Sequence, residues 1–250
     1  MSRSGEERAM ALAEDIANWI AAQVRSAGVN GAVIGLSGGI DSAVVSGLCA
    51  RALGADQVLG IIMPINSNPT DTAHGEETGR AWGIEHRVVD LSSAYDALTE
   101  ALPPGSDLAY ANIKPRLRMI TLYHHANTLG RMVIGTGNRS ELMAGYYTKY
   151  GDGGTDLLPI AGLYKWQVRE LAREIGVPQA IIDKPPSAGL WQGQTDEQEM
   201  GITYADLDRT LAAVDAGDTS SIEQPLLERV QRMIQVSEHK RHMPPIYKPE

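Results

Sequence analysis

Apolar residues recur along the chain with two alternating periods. Ala9, Leu12, Ala13, Ile16, Ile20 and Val24 stand three or four apart within residues 5 to 27, which predicts an amphipathic helix closing before Gly28. Short continuous apolar runs follow at Ala32 to Ile34, Val58 to Met63, His86 to Asp90 (HRVVD) and Arg131 to Ile134. Such runs predict the strands of a parallel sheet. Helical stretches separate them: one from about Ala43, one ending near Trp82, one over residues 92 to 102, and a long pattern from Asp107 to Leu129 that Pro115 interrupts on paper. Strands alternating with helices make right-handed parallel units. The expected fold is α/β, a doubly wound parallel sheet with flanking helices and strand order near 3-2-1-4-5. Further helices are expected over residues 164 to 176, 203 to 214 and Ser221 to Lys240.

Two of the strand ends carry unusual turns. After the first run comes GLSGGIDS (Gly35, Leu36, Ser37, Gly38, Gly39, Ile40, Asp41, Ser42). Its glycines allow backbone N–H groups to curl around a phosphate at the start of a helix, and Ser37 and Ser42 add hydroxyls. A Walker A loop would read GxxxxGK[ST], and no lysine stands in the corresponding place, so the neutralising charge has to come from a metal or from elsewhere in the chain. Asp41 is the candidate metal anchor, although Asp41 or Ser42 could equally cap a helix. After the fourth run comes GTGNRSE, residues 135 to 141. In a doubly wound sheet these two strand ends lie side by side, so that Asp41 and Glu141 reach one Mg²⁺ over bound phosphates.

Other segments carry weaker indications. PINSNPTD, 64 to 71, leaves the second strand beside the phosphate turn, with Thr70 or Asp71 as the expected cap of the next helix. Lys114, Arg116 and Arg118 form a charge cluster on the long helix, which read alone is a solvated face. His124 and His125 are adjacent and cannot share a helical face as metal ligands. His239 and His242 lack a closely paired carboxylate or cysteine, so no metal is expected there. YGDGGTD, 150 to 156, is either a cover for a site or an exposed connector. KPPSAGLWQGQTDE, 184 to 197, is a long loop whose Trp191 argues for order.

Composition narrows the classes. With 250 residues and 43% hydrophobic content, one large core is expected. The acidic excess of 31 over 22 basic residues gives a net charge of −9 and disfavours nucleic acid as a partner. Cys49 is the only cysteine. An internal disulfide and a catalytic cysteine pair are excluded, and Cys49 is expected in the core. No apolar run is long enough for a membrane span and MSRSGEERAM lacks a signal-peptide core, so a cytoplasmic protein is expected.

The string SGGIDS resembles the signature loop of the N-type ATP pyrophosphatases, which cleave ATP between its α and β phosphates. Residues 135 to 160 (GTGNRSELMAGYYTKYGDGGTDLLPI) and 184 to 197 resemble, within that class, the NAD synthetases. They separate the chain from guanylate, asparagine and argininosuccinate synthetases and from tRNA-thiolating enzymes. The resemblance runs from the first helix to HKRH at 239 to 242. It implies an adenine nucleotide alpha-hydrolase-like fold and amidation of deamido-NAD to NAD with ATP, ammonia and Mg²⁺, through an adenylated intermediate. Gly35 to Ser42 would hold the ATP phosphates, with Thr136, Lys165 and Ser187 also touching ATP. Asp41 and Glu141 would hold Mg²⁺, and with Lys165 form the catalytic set. Arg116, Lys149, Asp156, His239 and Lys240 would bind deamido-NAD. Some relatives have Asp-His where this chain has Gly137 and Asn138, which therefore receive no role, and Thr in place of Ser187.

The resemblance also implies a homodimer with the dinucleotide across the interface, for which helix 107 to 129 is the candidate surface. A single domain over 1 to 250 is expected, without a glutaminase domain, because the first helix and the turn at 35 lie so near the start. Free ammonia is then the expected nitrogen donor.

Overall fold

The computed structural model describes residues 5–189, 191 and 193–249. Leu190 and Gln192 of the second signature string, Glu250 of the tail and Met1 to Ser4 lie outside the described residues.

The chain runs α1 (Gly5–Ser26), β1 (Ala32–Gly35), α2 (Ile40–Leu53), a 3₁₀ turn (Ala55–Gln57), β2 (Val58–Ile62), α3 (Pro69–Ala81), β3 (Glu85–Val88), α4 (Ser92–Ala101), α5 (Asp107–Ala111), α6 (Ile113–Leu129), β4 (Met132–Ile134) and α7 (Arg139–Ala144). It continues with α8 (Lys165–Ile175), α9 (Gln179–Ile182), α10 (Asp196–Met200), α11 (Tyr204–Ala216), α12 (Gln224–Ser237) and a closing 3₁₀ turn (Glu238–Lys240).

The four described strands form one parallel sheet of order β3-β2-β1-β4. Side chains alternate across it, as strand geometry demands. Ala32, Ile34, Val58 and Ile62 face a core shared with α1, α2 and α8, while Val33, Leu59 and Ile61 face Ala126, Leu122 and Tyr123 of α6. Helices therefore cover both faces, as expected. A third apolar cluster, with Leu207, Leu211 and Val230, joins α11 to α12 beside the sheet. Each fully buried Leu or Ile in these clusters contributes roughly 1.5–3 kcal/mol.

The structure departs from the expectations in four places. No fifth strand follows β4 among the described residues; the segment after α7 makes a single parallel bridge, Ile134 to Leu157. Its glycines and Pro159, which has no N–H to give a ladder, prevent more. Helix α2 begins at Ile40 rather than Ala43, because Gly39 takes the extended N-cap conformation and leaves Ile40, Asp41 and Ser42 in the first turn. Asn68, not Thr70 or Asp71, caps α3: its side chain accepts from Thr70 N at 3.0 Å, and Pro69 occupies the first helical position that suits its missing N–H. The long pattern from 107 to 129 is two helices, broken at Asn112, so that Pro115 falls in the first turn of α6 where its lost donor costs nothing.

Cys49 is fully buried in the α2 core, as expected, and burial pushes its thiol well above the ordinary range. No helix among the described residues is long and apolar enough to cross a membrane.

Candidate functional site

The carboxyl ends of β1 and β4 are hydrogen-bonded neighbours, Ile34 pairing in register with Ile134. The turns that leave them open into one cavity of about 440 Å³. Gly35, Leu36, Ser37, Gly39, Ile40 and Asp41 line it from the first turn, and Gly135, Thr136 and Glu141 from the second. Lys165, Ser187 and Lys240 line it from farther along the chain.

The first turn is knitted by its own serines. Ser42 Oγ donates to Gly39 O at 2.9 Å and accepts from Ser37 N at 3.3 Å, while Ser37 Oγ accepts from Gly39 N at 3.2 Å. Ser42 is buried and absent from the cavity wall. Its hydroxyl holds the curl rather than standing free as a donor. Gly38 has φ +73, and a Cβ there would lie 2.3 Å from Asp71 O, so the loop seats directly on the start of α3 and only glycine fits.

At the second turn Asn138 caps α7 reciprocally with Glu141: Glu141 N donates to Asn138 Oδ1 at 3.0 Å, and Asn138 N donates to Glu141 Oε2 at 3.3 Å. Asn138 Nδ2 also donates to Asp41 Oδ1 at 3.0 Å. The residue for which the resemblance gave no role thus ties the two turns together.

Lys165 sits between the two carboxylates. Its Nζ donates to Asp41 Oδ2 at 2.5 Å and to Glu141 Oε1 at 3.2 Å, and its side chain is only 2% exposed. Its place at the first residue of α8 is fixed by a buried relay: Lys165 N donates to Ser140 Oγ at 2.9 Å, Ser140 Oγ donates to Asp208 Oδ1, and Trp166 N donates to Asp208 Oδ2 at 3.0 Å. Burial works against the ammonium, but Asp41 and Glu141 outweigh it and hold its pKa above the ordinary value. For Glu141 burial wins: it raises the carboxyl to about 7, with Asp41 and Asp196 adding to the rise and Lys165 opposing it.

Asp196 completes the group. It is buried, accepts from Tyr204 OH at 2.9 Å through Oδ2, and its Oδ1 has no hydrogen-bond partner among the described residues. The Tyr204 ring lies 5.0 Å from Lys165 Nζ. Burial and the Glu141 and Asp196 carboxylates push its phenol pKa up, so it remains a donor. Three carboxylates therefore face one lysine in a largely buried setting, and an orphaned carboxylate oxygen stands among them. Among the described residues no set of three or more His, Cys, Asp or Glu forms a closed metal cage. This donor set suits a Mg²⁺ that arrives with phosphate oxygens and water, since such ions take only one or two protein carboxylates.

The expected dinucleotide residues divide. Lys149 Nζ donates to His239 O at 2.5 Å, Arg116 Nη2 to Lys149 O at 3.4 Å, and Lys240 Nζ to Gly145 O and Tyr147 O at 2.7 and 2.8 Å. Four of the five thus gather at one edge, with only Lys240 on the cavity wall. Asp156 stands apart: it accepts from Val133 N at 2.8 Å and from Tyr123 OH at 2.9 Å, fastening the segment after α7 to β4.

Sequence reasoning missed several cavity residues. Arg118, read as part of a solvated face, instead lines the cavity, its Nε donating to Met63 O at 3.1 Å, and off the cavity wall Lys114 is buried beside the Tyr95 ring. Pro115 was the available signal, since a proline suits the first turn of a helix and so marks a helix start just before it. Glu199, which accepts from Tyr146 OH and Gln194 Nε2 at 2.6 Å each, and Lys184 are also on or beside the wall. YGDGGTD reaches the cavity through Gly151, Asp152, Gly154 and Thr155, so it is not a connector remote from it.

A sequence profile for NAD synthase matches residues 12–244. The NH(3)-dependent NAD(+) synthetase of Archaeoglobus fulgidus is 47% identical over 235 residues, covering 93% of this chain and 94% of that one. Among solved structures, NMN synthetase from Francisella tularensis superposes with TM-score 0.87 at 37% identity, covering 99% of both chains. The NH3-dependent NAD synthetase of Campylobacter jejuni superposes with TM-score 0.84 at 28% identity, covering 96% of this chain and 99% of that one.

Proposed function

Because this chain belongs to the NAD synthase family, we propose that it is an ATP-dependent ligase that amidates deamido-NAD to NAD with ammonia, releasing AMP and pyrophosphate. The observation that carries the reading is the junction of two strand ends at one cavity, where Asp41 after β1 and Glu141 after β4 both pair with Lys165.

The chemistry follows from the poor leaving group of a carboxylate. An oxygen of the nicotinate carboxylate attacks the α phosphorus, the bond from that phosphorus to the bridging oxygen breaks, and pyrophosphate departs. Ammonia then attacks the carbonyl carbon of the mixed anhydride, the carbon–oxygen bond to AMP breaks, and a proton is released. The first step brings an anion to an anion, so positioning and preorganised charge are what the protein has to supply. The turn at Gly35 to Ser42, with Thr136 and Ser187, would hold the ATP phosphates, and Lys165 would face the charge that builds on the α phosphate. Asp41 and Glu141 would hold Mg²⁺, which when bound screens the phosphate oxygens. Arg116, Lys149, Asp156, His239 and Lys240 are proposed for the deamido-NAD side.

Ammonia rather than glutamine is the proposed donor: Cys49 is sealed in the core with its thiol pKa raised, and so is no glutaminase nucleophile. The site belongs to one domain spanning the chain, and we place the protein in the cytoplasm, where its co-substrate ATP is available. A homodimer is proposed through α5 and α6, whose Leu108 and Ile120 are 61% and 60% exposed; a monomer by light scattering at working concentration would count against it.

The deciding experiment supplies ¹⁵N-ammonia, deamido-NAD, ATP and Mg²⁺ to the purified protein. Label in the carboxamide of NAD with equimolar pyrophosphate supports the reading; pyrophosphate release without deamido-NAD refutes it. A second reading draws on the superposition with an NMN synthetase: the same amidation on the deamidated mononucleotide. Competition between the two acids at limiting ATP decides between them.

A further inference from the structure

The phosphate turn has no cation of its own, and the cations near it are mostly committed. Lys165 is held by two carboxylates and Arg118 by Met63 O. Lys184 is placed differently. Its Nζ donates to Gly38 O at 3.0 Å, in the middle of the turn, and to Asp71 Oδ1 at 2.6 Å. It lines the cavity together with Ser37, Gly39, Asp71 and Ser187, and its side chain is 23% exposed against 2% for Lys165. One partly exposed carboxylate is a weak hold, and a triphosphate bound in the turn offers more negative charge at the same place.

We infer that Lys184 is the missing cation of the phosphate turn: it exchanges Asp71 for the β and γ phosphates of ATP and carries their charge as pyrophosphate leaves. The assignment deepens the ligase reading and rests on it for the leaving group. The ammonium holds three donors, two of which are engaged by Asp71 and Gly38. Asp71 serves as the holding partner, keeping Lys184 beside the turn before nucleotide arrives. The Asp71 backbone abuts Gly38, so lysine, carboxylate and turn keep a fixed relation.

The test separates a phosphate ligand from a mere structural tie. Dissociation constants for ATP, AMP and inorganic pyrophosphate, with Mg²⁺, are measured by calorimetry on the whole chain and on Lys184→Met, Lys184→Arg and Asp71→Asn. Losing a charge-assisted bond should weaken ATP and pyrophosphate by about tenfold or more in Lys184→Met, with AMP changed by no more than about twofold. Lys184→Arg should recover most of the loss, and Asp71→Asn should bind ATP at least as tightly as wild type. An unchanged ratio of ATP to AMP affinity in Lys184→Met overturns the assignment, as does an Asp71→Asn variant that loses as much ATP affinity as Lys184→Met. Should Lys184→Met fail to fold, the Arg and Asn variants decide alone. Binding needs no turnover: a wild type that binds ATP through Lys184 but makes no NAD refutes the ligase reading only, whereas normal NAD synthesis by Lys184→Met at limiting ATP refutes the lysine assignment only.

Discussion

Lys165 Nζ lies 2.5 Å from Asp41 Oδ2, so the first residue of α8 is tied to the first turn of α2 across 124 positions of sequence. The ammonium is the only positive charge bonded to Asp41 and Glu141 among the described residues. Replacing it by methionine leaves these carboxylates, with Asp196 nearby, uncompensated in a buried setting. Lys165→Met should cost about 3–5 kcal/mol of stability and abolish adenylation. Thermal unfolding together with pyrophosphate release checks both, and a variant as stable as wild type would mean the pair is better solvated than its burial indicates.

Asp41→Asn and Glu141→Gln remove charge while keeping shape. Each should abolish pyrophosphate release in the presence of deamido-NAD, ATP and Mg²⁺, with circular dichroism unchanged. Near-normal release by both variants would defeat the assignment of these carboxylates to Mg²⁺.

The raised pKa of Glu141 has a definite sign. Burial, reinforced by Asp41 and Asp196, lifts it from 4.5 to about 7. The folded state thus holds a proton that the unfolded state releases earlier. That contribution is complete below the unfolded pKa and is lost as pH rises through the folded one. Metal-free wild type should therefore lose stability relative to Glu141→Gln over roughly pH 4.5 to 7. Adding Mg²⁺ with ATP should flatten the wild-type curve, because the cation favours the ionised carboxylate. Melting temperatures measured between about pH 5 and 8 test this; parallel curves for the two proteins would contradict it.

Gly38→Ala puts a Cβ 2.3 Å from Asp71 O at a φ of +73. It should destabilise the chain by about 1 kcal/mol or more and raise the KM for ATP far more than that for deamido-NAD. Gly137→Ala is the control, since its nearest neighbour atom would be 3.8 Å away and its φ is ordinary. Melting and steady-state kinetics on the two variants make the comparison; equal effects would mean that close seating on α3 is not what the turn requires.

The layered fold was legible because it rests on local regularities. The continuous apolar runs at Ala32 to Ile34 and Val58 to Met63 and the 3.6-residue stripe of α1 follow from where each backbone type aims its side chains. The two phosphate-type turns were legible for the same reason, since glycine is required wherever backbone must curl this tightly. Boundaries were less so. Asn68 caps α3 ahead of Thr70 and Asp71 with Pro69 in the first helical position after it, and the pattern from 107 to 129 parts at Asn112 rather than at Pro115, where periodicity alone would have broken it.

The sequence by itself determined that two Gly-rich turns leave two strands of one parallel sheet, and which acidic residues follow them. Tertiary structure alone decided that Lys165 stands between Asp41 and Glu141, that Asp196 joins them with an oxygen unpaired among the described residues, and that Asp156 ties the segment after α7 to β4. The physical reason is range. A turn or a helix stripe is set by neighbours within a few residues, whereas the charge balance of a buried site is set by side chains from distant segments, whose pairing no local spacing records.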